Sequence, residues 1–258
     1  MSSITQTPPR MEIPEQAHYR ELLYGAYRSA HFGASNPDTE AARKSREESY
    51  ARELARFLPA DRNVRMLDAG CGSGFLLEFL HGQGYVNSQG VDASREQVEF
   101  CRGKGLPVEH ADLLDSLEST KGWGLIFCTD VVEHLHKDEV VRFLEAAHAA
   151  LAPGGRLVVR TGNAACIYGM YLRYIDFTHE TFYTERSLSQ LLLACGYSGV
   201  RIFDTVAPFG FRPKRLARWA LMKVWRAGLR LALTLEAGTD APRLMGKFLT
   251  AVGTKPAP

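Results

Sequence analysis

The sequence predicts an α/β protein built on a doubly wound, mostly parallel sheet with helices on both faces. Three observations carry that expectation. From Val64 onward, short apolar runs alternate with segments of helical period, the rhythm of repeated strand–helix units. The first run ends in a glycine-rich turn, Gly70-Cys71-Gly72-Ser73-Gly74, the usual punctuation between strand and helix in such a sheet. A length of 258 residues, 45% apolar and 23% charged, suits one large globular domain with additions and excludes wholesale disorder.

The elements follow in order. Residues 1–13 are polar, carry Pro8 and Pro9, and read as a loose tail. Pro14 to about Leu58 reads as helical, with Glu40/Lys44, Arg43/Glu47 and Glu48/Arg52 at i,i+4 spacing bracing a solvated face. Strands are expected at Val64–Ala69, Gly90–Ala93 with its lead-in, Pro107–His110, Leu125–Thr129 and Arg156–Thr161. Helices are expected near 73–82, 94–103, 136–151 and 184–195. Pro153-Gly154-Gly155 ends one helix and turns into the next strand. Val200–Val206 and Phe248–Val252 complete a seven-stranded sheet, and right-handed crossovers make it doubly wound. The expected division is a tail and helical segment over 1–60 and a main domain over 61–258, with a helical insertion at 212–240 before the last strand.

The longest stretch without Asp, Glu, Lys or Arg, Ser187–Val200, has 14 residues, short of the roughly 20 a membrane span needs. No apolar run follows a basic start at the N-terminus, so no secretory signal is expected. Five cysteines, none in a Cys-x-x-Cys pair, read as reduced thiols of a cytoplasmic protein. No His/Asp/Glu set stands at metal-ligand spacing, and no metal is expected.

The glycine turn narrows the chemistry. Glycines let the backbone turn tightly and let a ligand approach the main chain. Dinucleotides and S-adenosylmethionine both use this device. In a dinucleotide site the third small position would fall on Phe75, and Asp68, two residues before the first glycine, would repel a pyrophosphate. An acid suits a ligand with an ammonium and a sulfonium, which favours S-adenosylmethionine. Asp92 ends the second strand, 18 residues after Gly74, where a carboxylate accepts from ribose hydroxyls or caps the following helix. Asp112 follows the third strand and could accept from an adenine amino group or cap a turn. Asp130 ends the fourth strand, at the expected switch of strand order.

These residues resemble the class I S-adenosylmethionine-dependent methyltransferases. The marks are Leu-Asp-Ala-Gly-Cys-Gly-Ser-Gly (67–74), Gly-Val-Asp-Ala-Ser (90–94), Asp-Val-Val-Glu-His-Leu (130–135) and Leu-Ala-Pro-Gly-Gly-Arg-Leu (151–157), within a match over about 64–206 plus the final strand. The resemblance implies a Rossmann-like fold, with S-adenosylmethionine as cofactor and S-adenosylhomocysteine as product. By it, Asp68 and Gly70, Cys71, Gly72 and Gly74 hold the methionine part, Asp92 and Ala93 the ribose, Asp112 and Leu113 the adenine, and Asp130 lies near the reaction centre.

The segment after the fifth strand resembles a subgroup linked to bacterial surface-polysaccharide and lipid-linked glycan methylation. It reads Thr-Gly-Asn-Ala (161–164), an Arg-Tyr at 173–174, Asp-Phe-Thr-His-Glu (176–180) and Gly196-Tyr197, with Gly162 where the subgroup has Pro and Tyr197 where it has Phe. The resemblance offers Asn163, Tyr168, Arg173, Tyr174 and Asp176 to the acceptor; the aromatic faces could pack on a sugar ring, or the segment could be a lid over the cofactor. A sugar hydroxyl is a poor neutral nucleophile, so a general base helps, and His is the common choice. His179 and His134 are the candidates. The Glu-His-Leu and Thr-His segments also resemble ubiquinone-pathway enzymes, so a small aromatic or quinone acceptor is the alternative. A catalytically silent homologue is the reading from another class.

Charge is unevenly spread. The formal total of +2 combines +7 in Arg212–Leu235, which contains no acid, with −5 elsewhere. On a helical projection Leu216, Ala220, Leu221, Val224, Leu231 and Leu235 share a charge-free arc. A basic amphipathic helix with tryptophan is a membrane-surface signature; the alternative is an insertion packing its apolar arc on the domain. No stacking module accompanies the charge, so nucleic acid is not an expected partner.

Overall fold

The computed structural model describes residues 18–25, 38–204, 213–238 and 241–257. The proposed tail at 1–13, the middle of the N-terminal helical segment at 26–37, Thr205 and Val206, and parts of the insertion (212 and 239–240) lie outside the described residues.

Among the described residues of the segment expected to be helical, α1 (His18–Gly25) and α2 (Glu40–Glu53) lead in. Thr39 caps α2 by accepting from the Ala42 N–H, and a short 3-10 turn, Ala55–Phe57, follows. The main domain then alternates: β1 (Met66–Ala69), α3 (Phe75–Gly82), β2 (Ser88–Asp92), α4 (Arg95–Gly103), β3 (Val108–His110), α5 (Leu113–Ser119), β4 (Trp123–Thr129), a 3-10 turn at Val132–His134, α6 (Lys137–Ala150) and β5 (Leu151–Gly162). After β5 come α7 (Gly169–Tyr174), α8 (Glu185–Ala194), β6 (Ser198–Asp204), α9 (Pro213–Ala237) and β7 (Phe248–Thr254). Sheet order is β3-β2-β1-β4-β5-β7-β6. The pairs from β3 to β5 are parallel and β7 runs antiparallel to both neighbours. Strand order therefore reverses between β1 and β4, the place where open α/β sheets bind ligands.

The strands bury both faces. Leu67, Ala69, Ile126, Cys128, Leu157 and Val159 join one core layer with Leu117, Phe143, Leu144 and Leu188 of α5, α6 and α8. Their alternates Met66, Leu125, Phe127 and Val158 join Leu54, Phe57, Leu76 and Leu80 on the other side. Period-2 alternation divides the residues between two apolar layers, which is why these strands read as continuous hydrophobic runs. All five cysteines are free thiols.

Two local readings change. Helix α5 was not expected; Asp112 caps it, accepting from Leu114 N–H at 2.8 Å. Pro153-Gly154-Gly155 lie inside β5 as a bulge, because the register slips between Trp123↔Leu151 and Leu125↔Arg156. The two departures from the subgroup pattern have structural reasons. A Cβ at residue 162 would sit 2.4 Å from the Phe182 ring, and the Tyr197 hydroxyl donates to the Leu144 carbonyl at 2.9 Å inside the core.

The glycine turn is shaped as much by the protein's own packing as by a ligand. Gly70 and Gly74 have φ of 76° and 75°. A Cβ at Gly70 would lie 2.4 Å from Val131 Cγ2, and one at Gly74 2.5 Å from Leu106, whereas Gly72 faces open space. Gly70→Ala is therefore expected to cost about 1–3 kcal/mol through left-handed strain and displacement of Val131; urea unfolding at a matched slope measures it, and an unchanged midpoint would refute the packing account.

Candidate active site

A cavity of about 790 Å³ opens at the C-terminal ends of β1, β2, β3 and β4. Its walls include Asp68, Gly70, Cys71, Gly72, Asp92, Ala93, Asp112, Leu113 and Asp130, all expected from the sequence. Gly74 is not among the lining residues; it begins α3 in left-handed geometry and makes room for Leu106 and Cys101.

The Asp92 carboxylate organises the loop. Its Oδ2 accepts from the Gly72 N–H and its Oδ1 from the Ser94 N–H, both at 2.8 Å. Burial raises its pKa, and these two bonds oppose the rise. Asp68 is 1% exposed, and its Oδ1 has no hydrogen-bond partner among the described residues. Burial, reinforced by the nearby Asp92, raises its pKa to about 8. A buried acid with an orphaned oxygen at a cavity wall is costly alone and fits a cationic ligand group. On this ground the residues fit the ammonium-bearing methionine part of S-adenosylmethionine. Asp112 caps α5, as one of its two sequence readings has it, and also lines the cavity.

At the far side of the cavity stands the turn after β4. Asp130 has φ 57°, a left-handed conformation rare outside glycine. It is held by its N–H donating to the Arg160 carbonyl at 2.9 Å and by an ion pair with the Arg160 guanidinium at 2.6 Å. His134 lines the cavity. Its Nδ1 is 2.8 Å from Thr178 Oγ1, and the Thr178 hydroxyl donates its one proton to Asp176 Oδ1 at 2.7 Å. Thr178 therefore accepts from His134 Nδ1–H, which leaves the lone pair on Nε2. Burial, with His179 adjacent, lowers the His134 pKa to about 4. Burial works against Asp176, but the two bonds from Thr178 hold its pKa below the usual value.

His179 does not line the cavity. Its ring lies 4.7 Å from that of His134 and 5.3 Å from that of Phe182, and its Nδ1 donates to the Leu172 carbonyl at 3.1 Å. Glu133 is buried between these elements. Its carboxylate accepts from Thr161 Oγ1 at 2.9 Å, and its carbonyl accepts from the N–H groups of Glu180 and Thr181. One ligand atom each from Glu133, His134 and His179 lies within 4.8 Å of the others. Sequence spacing hid this set, because His179 comes from a distant segment.

Several acceptor candidates take structural roles instead. Asn163 is fully buried; its Nδ2 spends both protons on the Leu244 and Gly246 carbonyls and its Oδ1 accepts from Ala165 N–H, so its side chain holds the chain together rather than facing a substrate. Arg173 donates to the Glu180 carbonyl and closes its own loop. Tyr168 and Tyr174 are exposed and outside the cavity lining. Asp176 acts through Thr178. Conversely, the charge run of α2 is not only a solvated face: Arg46, Ser49 and Tyr50 line the cavity, as does Arg20 of α1. Arg20 pairs with Glu139 at 2.7 Å and donates to the His134 carbonyl at 2.8 Å. Tyr19 donates to Glu180. The signal was Tyr50 falling four residues after Arg46 with Ser49 between, one polar-aromatic stripe within the charge run.

Burial, with Asp130 nearby, raises the Glu133 pKa from 4.5 to about 8. Between those values the folded state holds a proton that the unfolded chain has released, so this group's stabilising contribution is full below about 4.5 and is lost as pH rises through 8. Glu133→Gln is expected to flatten that fall; thermal unfolding across the window measures it, and an unaltered slope would show the group to be ionised in the fold.

The comparisons agree with this geometry. Residues 42–202 match the family model described as a methyltransferase domain. A ubiquinone biosynthesis O-methyltransferase of Rickettsia conorii is 26% identical over 162 residues, 57% of this chain and 55% of that protein. A tRNA U34 carboxymethyltransferase of Pseudoalteromonas translucida is 32% identical over 152 residues, 54% of this chain and 46% of that protein. The chain thus spans about half the length of these curated relatives. The crystal structure of a SAM-dependent methyltransferase from Archaeoglobus fulgidus superposes with a TM-score of 0.64 at 20% identity, covering 87% of this chain and 98% of that one, a likeness of fold. With the family model covering well over half of its length, the chain belongs to the methyltransferase domain family, of the class I S-adenosylmethionine-dependent kind.

Proposed function

We propose that the chain is an S-adenosylmethionine-dependent O-methyltransferase whose general base is His134. The observation that carries this reading is the chain Asp176–Thr178–His134, which sets a neutral imidazole at the cavity wall with its Nε2 lone pair unengaged by Thr178. S-adenosylmethionine, when bound, supplies a methyl group activated by its sulfonium. Asp68 and the Gly70–Gly72 turn hold the methionine part, Asp92 with Ala93 the ribose, and Asp112 with Leu113 the adenine. His134 takes the hydroxyl proton as the oxygen attacks. Alignment supplies most of the remaining barrier reduction, about 7–11 kcal/mol in favourable cases.

The first reading of the acceptor is a sugar hydroxyl of a glycan or lipid-linked saccharide. It is supported by the resemblance over 161–180 and by the exposed Tyr168, Tyr171 and Tyr174 of the segment that leads to Asp176 and Thr178, aromatic faces that suit a saccharide. The second reading, favoured by the relatives named ubiquinone biosynthesis O-methyltransferase, is a small aromatic or quinone acceptor. Methyl-labelled S-adenosylmethionine with saccharide and phenolic panels separates them; label in neither fraction rejects both and leaves a silent homologue.

Two outcomes test the site. His134→Ala is expected to lower kcat by ~10²–10⁴ with cofactor affinity within a few-fold. The wild-type acid limb of kcat/KM is expected near the lowered pKa of about 4, and Asp176→Asn should move it; an acid limb unmoved by either substitution would exclude His134. Asp68, at about 8 in the free protein, should release its proton when a cation binds beside it at pH 7. Calorimetry with S-adenosylmethionine in phosphate and Tris buffers reads this as a buffer-dependent enthalpy that Asp68→Asn abolishes; identical enthalpies would refute the pairing.

A further inference from the structure

Helix α9 (Pro213–Ala237) has 25 residues, about 37 Å at 1.5 Å per residue. The sequence left two readings of its apolar arc: packing on the domain, or facing a membrane. In the structure the arc turns outward. Leu221, Val224, Leu231 and Leu235 are 71%, 73%, 62% and 76% exposed. The half-buried side carries Met222, Arg226 and Leu229. There Arg226 pairs with Asp204 at 2.9 Å, and the exposed Arg230 donates to the Arg243 carbonyl. The domain-facing side is mixed, with Met222 and Leu229 beside the paired Arg226, and the continuous apolar arc is presented to the surroundings.

At 100° per residue, Leu216, Ala220, Leu221, Val224, Leu231 and Leu235 span about 140° with no charge between them. Lys223 borders one edge of that arc; Trp225 and Arg218 border the other. No acid occurs from Arg212 to Leu235. An apolar arc edged by basic residues with long apolar stems, and by a tryptophan, matches a helix lying in a bilayer interface, where the stems cover apolar surface and the charges reach anionic headgroups. A protein partner would not call for basic residues on both margins and none within. No described helix is long and apolar enough to cross a membrane, so the geometry is lateral.

The anchor also has a bearing on the site. Arg243, which receives Arg230, pairs with Glu185 at the start of α8. The next residue, Leu244, accepts from Asn163 at the end of β5, from which the exposed segment with Ile167, Met170 and Phe177 departs. We propose that α9 is an interfacial anchor for an anionic lipid bilayer. It holds the chain by the edge of the sheet where the acceptor segment begins. This rests on the helix alone and is independent of the methyl-transfer reading.

The test uses the full chain with sucrose-loaded vesicles of phosphatidylcholine, with and without phosphatidylglycerol. The wild type is expected to sediment with the anionic vesicles, less so as salt rises, and to stay in solution with the neutral ones. Leu221→Glu with Leu231→Glu, and separately Arg218→Glu with Lys223→Glu, should each reduce partitioning at least tenfold. All of these side chains are exposed, and S-adenosylhomocysteine binding in the same samples reports an intact fold apart from membrane affinity. Wild-type protein that binds S-adenosylhomocysteine yet stays in solution with anionic vesicles at low salt would overturn the proposal. So would a concentration-dependent dimer, read by ultracentrifugation, that the Leu221/Leu231 pair abolishes while vesicles are ignored; the face would then belong to a second copy.

Discussion

The acceptor side of this protein depends on one buried residue, Glu133. Its carbonyl accepts from Glu180 and Thr181, and its carboxyl group bonds Thr161 at the end of β5. These bonds bring the chain after β5 back over the turn after β4. They help set Thr178 2.8 Å from His134, 44 residues away in sequence. The neighbouring Tyr183 hydroxyl donates to the Val132 carbonyl and extends the same seam. An acid is a costly choice for such a position. Burial raises its pKa to about 8, which favours the neutral, hydrogen-bonding form in the core.

The cofactor side rests on the opposite device. Asp92 is satisfied by two backbone donors and fixes the glycine turn to β2; Asp68 is left unsatisfied. One carboxylate braces the turn through two backbone donors, and the other keeps an unpartnered oxygen at the cavity wall among the described residues. The glycines divide similarly. Gly70 and Gly74 yield space to Val131 and Leu106, and Gly72 faces open space. A glycine-rich motif read as a ligand cradle is therefore mostly a packing solution, with a single position left for close approach.

What was legible in the sequence follows from range. Strands β1 to β5 were readable because two-sided burial makes each a short apolar run, and Asp68, Asp92 and Asp130 because strand ends mark the ligand face. Helix α5 was missed because its seven residues, Leu-Leu-Asp-Ser-Leu-Glu-Ser, are too few to display a period. Asn163 was misread because a fully bonded structural amide and a substrate-binding one have the same letter. Arg20, Arg46 and Tyr50 were missed because a stripe such as Arg46–Ser49–Tyr50 shows which residues share a helix face but not what that face meets. The choice between His134 and His179 lay beyond sequence altogether: it turns on which ring meets the cavity and which meets the Leu172 carbonyl.

Helix α9 illustrates how a sequence pattern and its orientation are separate facts. The periodicity of its apolar residues is the same whether the arc faces the domain or the surroundings, so the pattern alone supports both. Orientation is decided by polar partners on the opposite side. Asp204, at the end of β6, captures Arg226, and the Arg243 carbonyl captures Arg230. Half-buried Met222 and Leu229 share that side with Arg226. The +7 charge of this stretch is thus divided between anchoring the helix to an otherwise acidic body and edging the face that the body leaves uncovered.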